Sequence, residues 1–279
     1  MDTVNLGRIF VINLFILIVI SANNISFSQD FDANNTSSFM DAIAKINAAP
    51  EASHKIFITG DISLETPISE AVNLELIGDT TSSEHYNFVL NGNTFTYREN
   101  KISKISDLNI VSNTSGSGFI VNQQDLTIDN ANFTSSAASN TQSSLNNIGG
   151  NLHISESNFT GNKKGMDGGA ISNQGNLETV STDFISNQGR NGGALYLSSG
   201  TANIKEADIL NNYASTYGGA AYVNNSTLTI TDSTVKDNSA MVSGGALYIE
   251  ANSNVVIDNT DFDHNTVLQQ SGGGAIYNK

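Results

Sequence analysis

Cysteine and tryptophan are absent from the 279 residues, proline occurs twice, and only 14% of positions are charged. Without thiols, neither disulfides nor thiolate metal sites can hold the fold, so stability must come from packing and backbone pairing. Twelve Lys and Arg stand against 27 Asp and Glu, for a net charge of −15. No basic patch offers a grip on phosphate, and no nucleic acid is expected as a partner. Long apolar runs are also scarce. The single one, residues 9–20, follows Arg8 and is broken only by Asn13. Its 12 residues fall short of the roughly 20 needed to span a bilayer. With Ser26-Phe27-Ser28 around a cleavage point, residues 1–28 read as a signal peptide for export, leaving no membrane span in the mature chain.

Residues 29–54 are expected to form an N-terminal cap. Ser38 is placed to cap a short helix from Phe39 to about Ala48, with Phe39, Ile43 and Ile46 on one face and Pro50 as its stop. From Lys55 on only short β-like runs follow: KIFIT, NLELI, FVL, FTY, DLNIV and GFIV, divided by Gly, Asn, Asp and Ser.

What the chain has in abundance is itself. FTGN from Phe159, FISN from Phe184, ILNN from Ile209, VKDN from Val235 and FDHN from Phe262 recur at spacings of 25, 25, 26 and 27. Five and seven residues before each anchor stands a mostly apolar pair, such as Leu152 and Ile154 or Leu228 and Ile230. Leu126 and Ile128 stand in the same relation to Phe133, so the repeat reaches upstream. Between the anchors lie GGAIS from Gly168, GGALY from Gly192, GGAAY from Gly218, GGALY from Gly244 and GGAIY from Gly273. A self-similar period of this length marks a solenoid. Strands this short cannot pair as hairpins without stranding polar backbone, whereas coiling in one direction pairs each with its copy one period later. The expected fold class is therefore all-β, a parallel β-helix with three short strands per 24–29-residue coil. Degenerate coils span 55–151 and regular coils 152–279, and the rod is expected to continue past Lys279.

Strand alternation puts Leu195, with Ile171, Ala221, Leu247 and Ile276, inside. It puts Ala194 and Tyr196 on the other face, and paired glycines before them let the backbone turn a corner. Asn162, Asn187, Asn212, Asn238 and Asn265 form a column whose side-chain amides can bond from coil to coil, and asparagine also tolerates left-handed turns. The outward column Tyr196, Tyr222, Tyr248 and Tyr277 is the candidate ligand-binding strip, flat and amphipathic, with Ser172 at the equivalent earlier place. Such tyrosines also stabilise a sheet by pairing on neighbouring strands, so Tyr222→Ser is expected to cost only that contact.

The pairing of F-x-x-N with G-G-A-[ILV] resembles the repeats of chlamydial polymorphic membrane proteins, a family of autotransporter-like surface proteins. FTGN, FISN and FDHN with GGAI and GGAL carry the resemblance; ILNN, VKDN and GGAA are looser copies, and residues 152–279 are covered. Upstream, GDISLETPIS, NLELIGD and LNGNTFTY are similar to opening coils of pectate-lyase-like β-helices. The resemblance implies a right-handed β-helix, exported and displayed at the outer membrane, with adhesin function toward a host-cell surface protein or glycan. The family's outer-membrane association runs through a C-terminal barrel, which this sequence does not contain.

The same architecture hosts polysaccharide lyases and glycoside hydrolases, which need carboxylates for Ca²⁺ with a basic residue, or a carboxylate pair. Asp183, Asp208, Glu206 and Asp232 are the nearest candidates, with Lys205 and Arg190 as cations. Asn259-Thr260-Asp261 resembles the N-T-D tripeptide of polygalacturonases, but G-H-G and R-I-K companions are missing, and His153 and His264 sit in neither context. No catalytic residue, metal site or cofactor is therefore expected, and the leading function is a non-enzymatic surface passenger. An enzyme on the same rod and an inert surface-layer spacer are the alternatives.

Overall fold

The computed structural model describes residues 29–48, 53–70, 73–80, 85–97, 102–113, 119–135, 143–163, 165–269 and 272–279. The apolar run, the cleavage point and Pro50 lie outside them. The described chain winds as a right-handed parallel solenoid of about eight turns with one short helix near its N-terminus. The first sheet stacks ten strands, from Gln29–Ala33 to Asn254–Asp258. The second runs from Ile62–Ser63 to Asp261–Asp263 and the third from Ile68–Glu70 to Ile276–Asn278, with nine strands each. Leu152 pairs with Leu177, Leu177 with Ala202, Ala202 with Leu228 and Leu228 with Val255, the same steps as the anchor spacing. Ten strands at about 4.8 Å give a rod of roughly 43 Å.

Three strands per coil are found as expected, with one revision to coil length and one addition in the later coils. Ser53 pairs with Asn73, a coil of only 20 residues, so the range is wider than 24–29. A fourth sheet, of Gln188–Asn191, Tyr213–Tyr217, Ser239–Ala240 and Thr266–Val267, adds a strand between the asparagine corner and the glycine pair. These short segments lack a clear apolar alternation, and they pair because their neighbours hold them in register.

Helix α1, Thr36–Asn47, buries Phe39, Ala42, Ile43 and Ile46 as its face predicts. Its N-cap is Asn35 and not Ser38. The Asn35 side chain accepts from the Ser38 N–H at 3.0 Å, and the Asn35 N–H donates to Ser38 Oγ at 3.3 Å, a reciprocal capping box. The helix packs on the first coils, where Phe39 meets the edge of Phe88 at 5.2 Å.

The interior is built of columns. Phe133, Phe159 and Phe184 stack face to face at 4.5 and 5.4 Å, and Ile209 and Val235 continue their line. Leu195, Ile171, Ala221 and Leu247 are buried as expected, whereas Ile276 in the last described coil is partly exposed. Ala194 differs from expectation: it is fully buried, with Ala170, Ala220 and Ala246. The strand begins only at Leu195, so alternation does not extend back through the corner. The two glycines there have separate reasons. Gly192 has φ +67°, while a Cβ on Gly193 would overlap the carbonyl oxygen of Gly219 in the next coil.

The asparagine column is buried at Asn162, Asn187, Asn212 and Asn238. Each Nδ2 donates to the Oδ1 one coil on: Asn162 to Asn187, Asn187 to Asn212, Asn212 to Asn238 and Asn238 to Asn265, at 2.9–3.0 Å. The second proton of each goes to an anchor carbonyl of the preceding coil, Phe133, Phe159, Phe184 or Ile209. Left-handed geometry belongs to the residue before each, Gly161, Ser186, Asn211, Asp237 and His264, and not to the asparagines themselves. A second buried amide ladder, Asn122 to Asn147 to Asn173 at 2.8 and 2.6 Å, supports the third sheet upstream and gives way to Leu197 and Val223.

Thr179 breaks the apolar column between Ile154 and Ile204, fully buried with no hydrogen-bond partner for Oγ1. Removing that unsatisfied hydroxyl at equal shape should stabilise the rod. Thr179→Val is expected to raise the unfolding free energy in urea by about 1–2 kcal/mol. A variant no more stable than the native chain would show that the hydroxyl is paired in solution.

Candidate functional site: the tyrosine ladder and its grooves

Parallel register brings Tyr196, Tyr222, Tyr248 and Tyr277 into one column on the third sheet. Their rings stack at 5.4, 5.3 and 5.0 Å with planes 8°, 7° and 21° apart. The strip is less open than alternation alone suggests. Tyr217, from the fourth sheet, lies against it at 4.4 Å from Tyr248 and 6.4 Å from Tyr222, leaving Tyr248 only 6% exposed. Its signal was legible in Tyr217-Gly218-Gly219, an aromatic directly before the glycine pair.

Tyr222 also donates its hydroxyl to Glu250 Oε1 at 2.9 Å, and Lys279 Nζ reaches the same carboxylate at 3.2 Å. Burial first, then the Glu250 carboxylate, hold the Tyr222 phenol protonated well above the ordinary tyrosine range. The Tyr248 phenol is raised chiefly by burial. Tyr222→Ser would therefore remove a hydrogen bond and packing as well as cross-strand contact, more than the sequence led one to expect.

At its N-terminal end the ladder drops from Tyr196 to Ser172 and then Asn146, all in register. The drop leaves a pocket of 260 Å³ lined by Ser143, Asn146, Met166, Asp167, Ser172, Gln174 and Tyr196. The Asp167 carboxylate is held by Arg190 through two bonds, at 3.0 and 2.9 Å, and by Asn191 Nδ2 at 3.0 Å. Gln174 also lines a neighbouring groove of 420 Å³ that follows the corner between the third and first sheets. That groove is walled by glycines, amides and hydroxyls from successive coils, among them Asn176, Ser199, Thr201 and Asn225.

The residues weighed for catalysis are spent on surface pairs and turns. Lys205 meets Glu206 at 3.1 Å; that bond raises the lysine pKa and lowers the carboxyl. Asp183 accepts the Asp208 N–H at 2.9 Å. His153 faces Glu178 at 2.9 Å, and His264 faces Asp263 at 2.6 Å. Asn259-Thr260-Asp261 turns the corner between the first two sheets: Asn259 has φ +43°, its amide donates to Asp232, and Thr260 Oγ1 donates to the Asp258 carbonyl. Among the described residues no group of three or more His, Cys, Asp or Glu is placed to hold a metal ion. No helix among them is long and apolar enough to cross a membrane.

Residues 259–279 match the family model described as the Chlamydia polymorphic membrane protein (Chlamydia_PMP) repeat. The parallel β-solenoid fits a repeat of that type. The matched stretch contains FDHN and GGAI, and the preceding coils repeat its corners in register. No curated protein and no solved structure gives a significant match.

The raised phenols make a pH prediction. A tyrosine whose pKa is higher folded than unfolded contributes stability that is intact below the unfolded value, about 10, and lost as pH rises beyond it. Ultraviolet titration should show part of the eight tyrosines ionising late and together with unfolding, and Glu250→Gln should bring the Tyr222 step down. Early ionisation of all tyrosines with the fold intact would contradict the buried ladder.

Proposed function

We propose that the chain is an exported, surface-displayed or secreted β-helix passenger that works without catalysis, as an adhesin toward a host-cell surface protein or glycan. The observation that carries this reading is the polymorphic membrane protein repeat at residues 259–279. Support comes from the half-buried tyrosine column beside polar grooves, since rigid stacked aromatics offer contact area at little entropic cost. Outer-membrane association through a C-terminal part belongs to the same reading. The enzyme alternative has weaker support, because Glu206 is tied to Lys205 and Asp183 to the Asp208 backbone.

Labelled protein should attach saturably to host epithelial cells and be displaced by unlabelled protein. Changing both ladder ends, Tyr196→Ser with Tyr277→Ser, should weaken attachment about tenfold, the scale of one lost hot spot, with the fold retained. Absence of saturable attachment would sink the adhesin reading. Unchanged attachment of the double variant would leave the ladder as sheet packing alone.

A further inference from the structure

The end of the tyrosine ladder differs chemically from its middle. Tyr222 and Tyr248 have an aromatic neighbour on both sides, whereas Tyr196 stacks on Tyr222 alone. The other side of the Tyr196 ring is turned toward the preceding coil, where the in-register residue is Ser172. An aromatic face thus borders a pocket whose floor is a hydroxyl and whose walls include the Asn146 and Gln174 amides. Among the described residues that line it the one charged group, Asp167, is neutralised by the Arg190 fork.

We propose that this step is a saccharide site: the terminal ring of a neutral glycan lies on the free face of Tyr196 above Ser172, and the following units enter the polar groove beyond Gln174. The proposal rests on the adhesin reading and names the class of its ligand. A pyranose has what the pocket asks for, with C–H edges for an aromatic face and a rim of hydroxyls for amides and a serine. At 260 Å³ the pocket lies just under the roughly 300–1,000 Å³ of sites for drug-sized ligands, a fit for one ring and not several. The groove that shares Gln174 supplies the room for more units, and its lining of glycine, amide and hydroxyl offers nowhere to bury a peptide's apolar side chains. Anionic glycans are disfavoured by a chain of net charge −15 whose nearest arginine is already paired.

The test is saturation-transfer NMR on the purified chain with methyl hexosides and methyl N-acetylhexosaminides, their neutral trisaccharides, and a galacturonic acid trimer. At least one neutral series should bind, the trisaccharide more tightly than the single ring, and the acidic trimer should not. Ser172→Tyr adds a fifth aromatic rung in register and fills the pocket, and is expected to weaken binding at least about tenfold with the melt retained. Should that variant fail to fold, Tyr196→Leu takes its place, keeping apolar bulk and losing the aromatic face, with the same loss expected. Gln174→Ala should erase the advantage of the trisaccharide over the single ring. The proposal is overturned if no neutral saccharide binds, if the filled pocket binds as well as the native one, or if the acidic trimer is preferred. Cell attachment without saccharide binding would overturn this site and leave the adhesin reading standing; saccharide binding without attachment would do the reverse.

Discussion

Each strand of the rod bonds to the equivalent segment one turn away, and that pairing constrains everything else. A parallel coil sets like beside like, so a polar column turned inward is held from coil to coil only where each side chain can satisfy its own copies. Asparagine meets that condition where serine or aspartate would not. Its amide donates twice and accepts twice, and here the Asn187, Asn212 and Asn238 side chains give one proton to the next amide and one to an anchor carbonyl. Each Oδ1 takes the preceding side chain and the preceding backbone N–H, as Asn212 Oδ1 does from Asn187. The ladder locks the corner after the anchor strand and so fixes where each coil leaves the second sheet.

The same stacking writes the surface. Outward columns repeat one residue type at about 4.8 Å, close enough for tyrosines to stack and for opposite charges to cancel. The four tyrosines and the Lys55–Glu75 and Lys236–Asp263 pairs are products of one geometry. What distinguishes one place from another is where a column changes character. Tyr196 to Ser172 is such a place, and it opens a pocket where a continuous column would leave none.

The sequence made the rod legible because columns repeat: the period, the buried Leu195 line and the buried asparagines could all be read from spacing. Corners were less readable, since period-two alternation ends where a strand ends. Ala194 is buried against that alternation, and the left-handed residue is the one before each asparagine, which Gly161, Asn211, Asp237 and His264 suit by type but Ser186 does not announce. The fourth sheet depends on neighbours and not on its own pattern, so the shielding of Tyr248 was out of reach even though Tyr217 stands directly before a glycine pair. The tyrosine column itself was foreseen; the pocket at its end depends on Asn146 from one turn, Asp167 and Gln174 from the next and Tyr196 from the one after, which no linear pattern displays.

The register can be tested at a single rung. Asn212 is fully buried and serves Asn187, Asn238 and the Phe184 carbonyl, whereas Asn158 sits half-buried on an outward column and bonds to Asn132. Urea unfolding of Asn212→Leu beside Asn158→Leu compares an interior amide with an exterior one of the same type. If the buried ladder sets the register, Asn212→Leu loses at least about 3 kcal/mol, because several buried polar groups lose partners at roughly 1–3 kcal/mol each, and Asn158→Leu loses under about 1 kcal/mol. Equal losses, or a more stable Asn212→Leu, would show that apolar packing alone holds the coils in place.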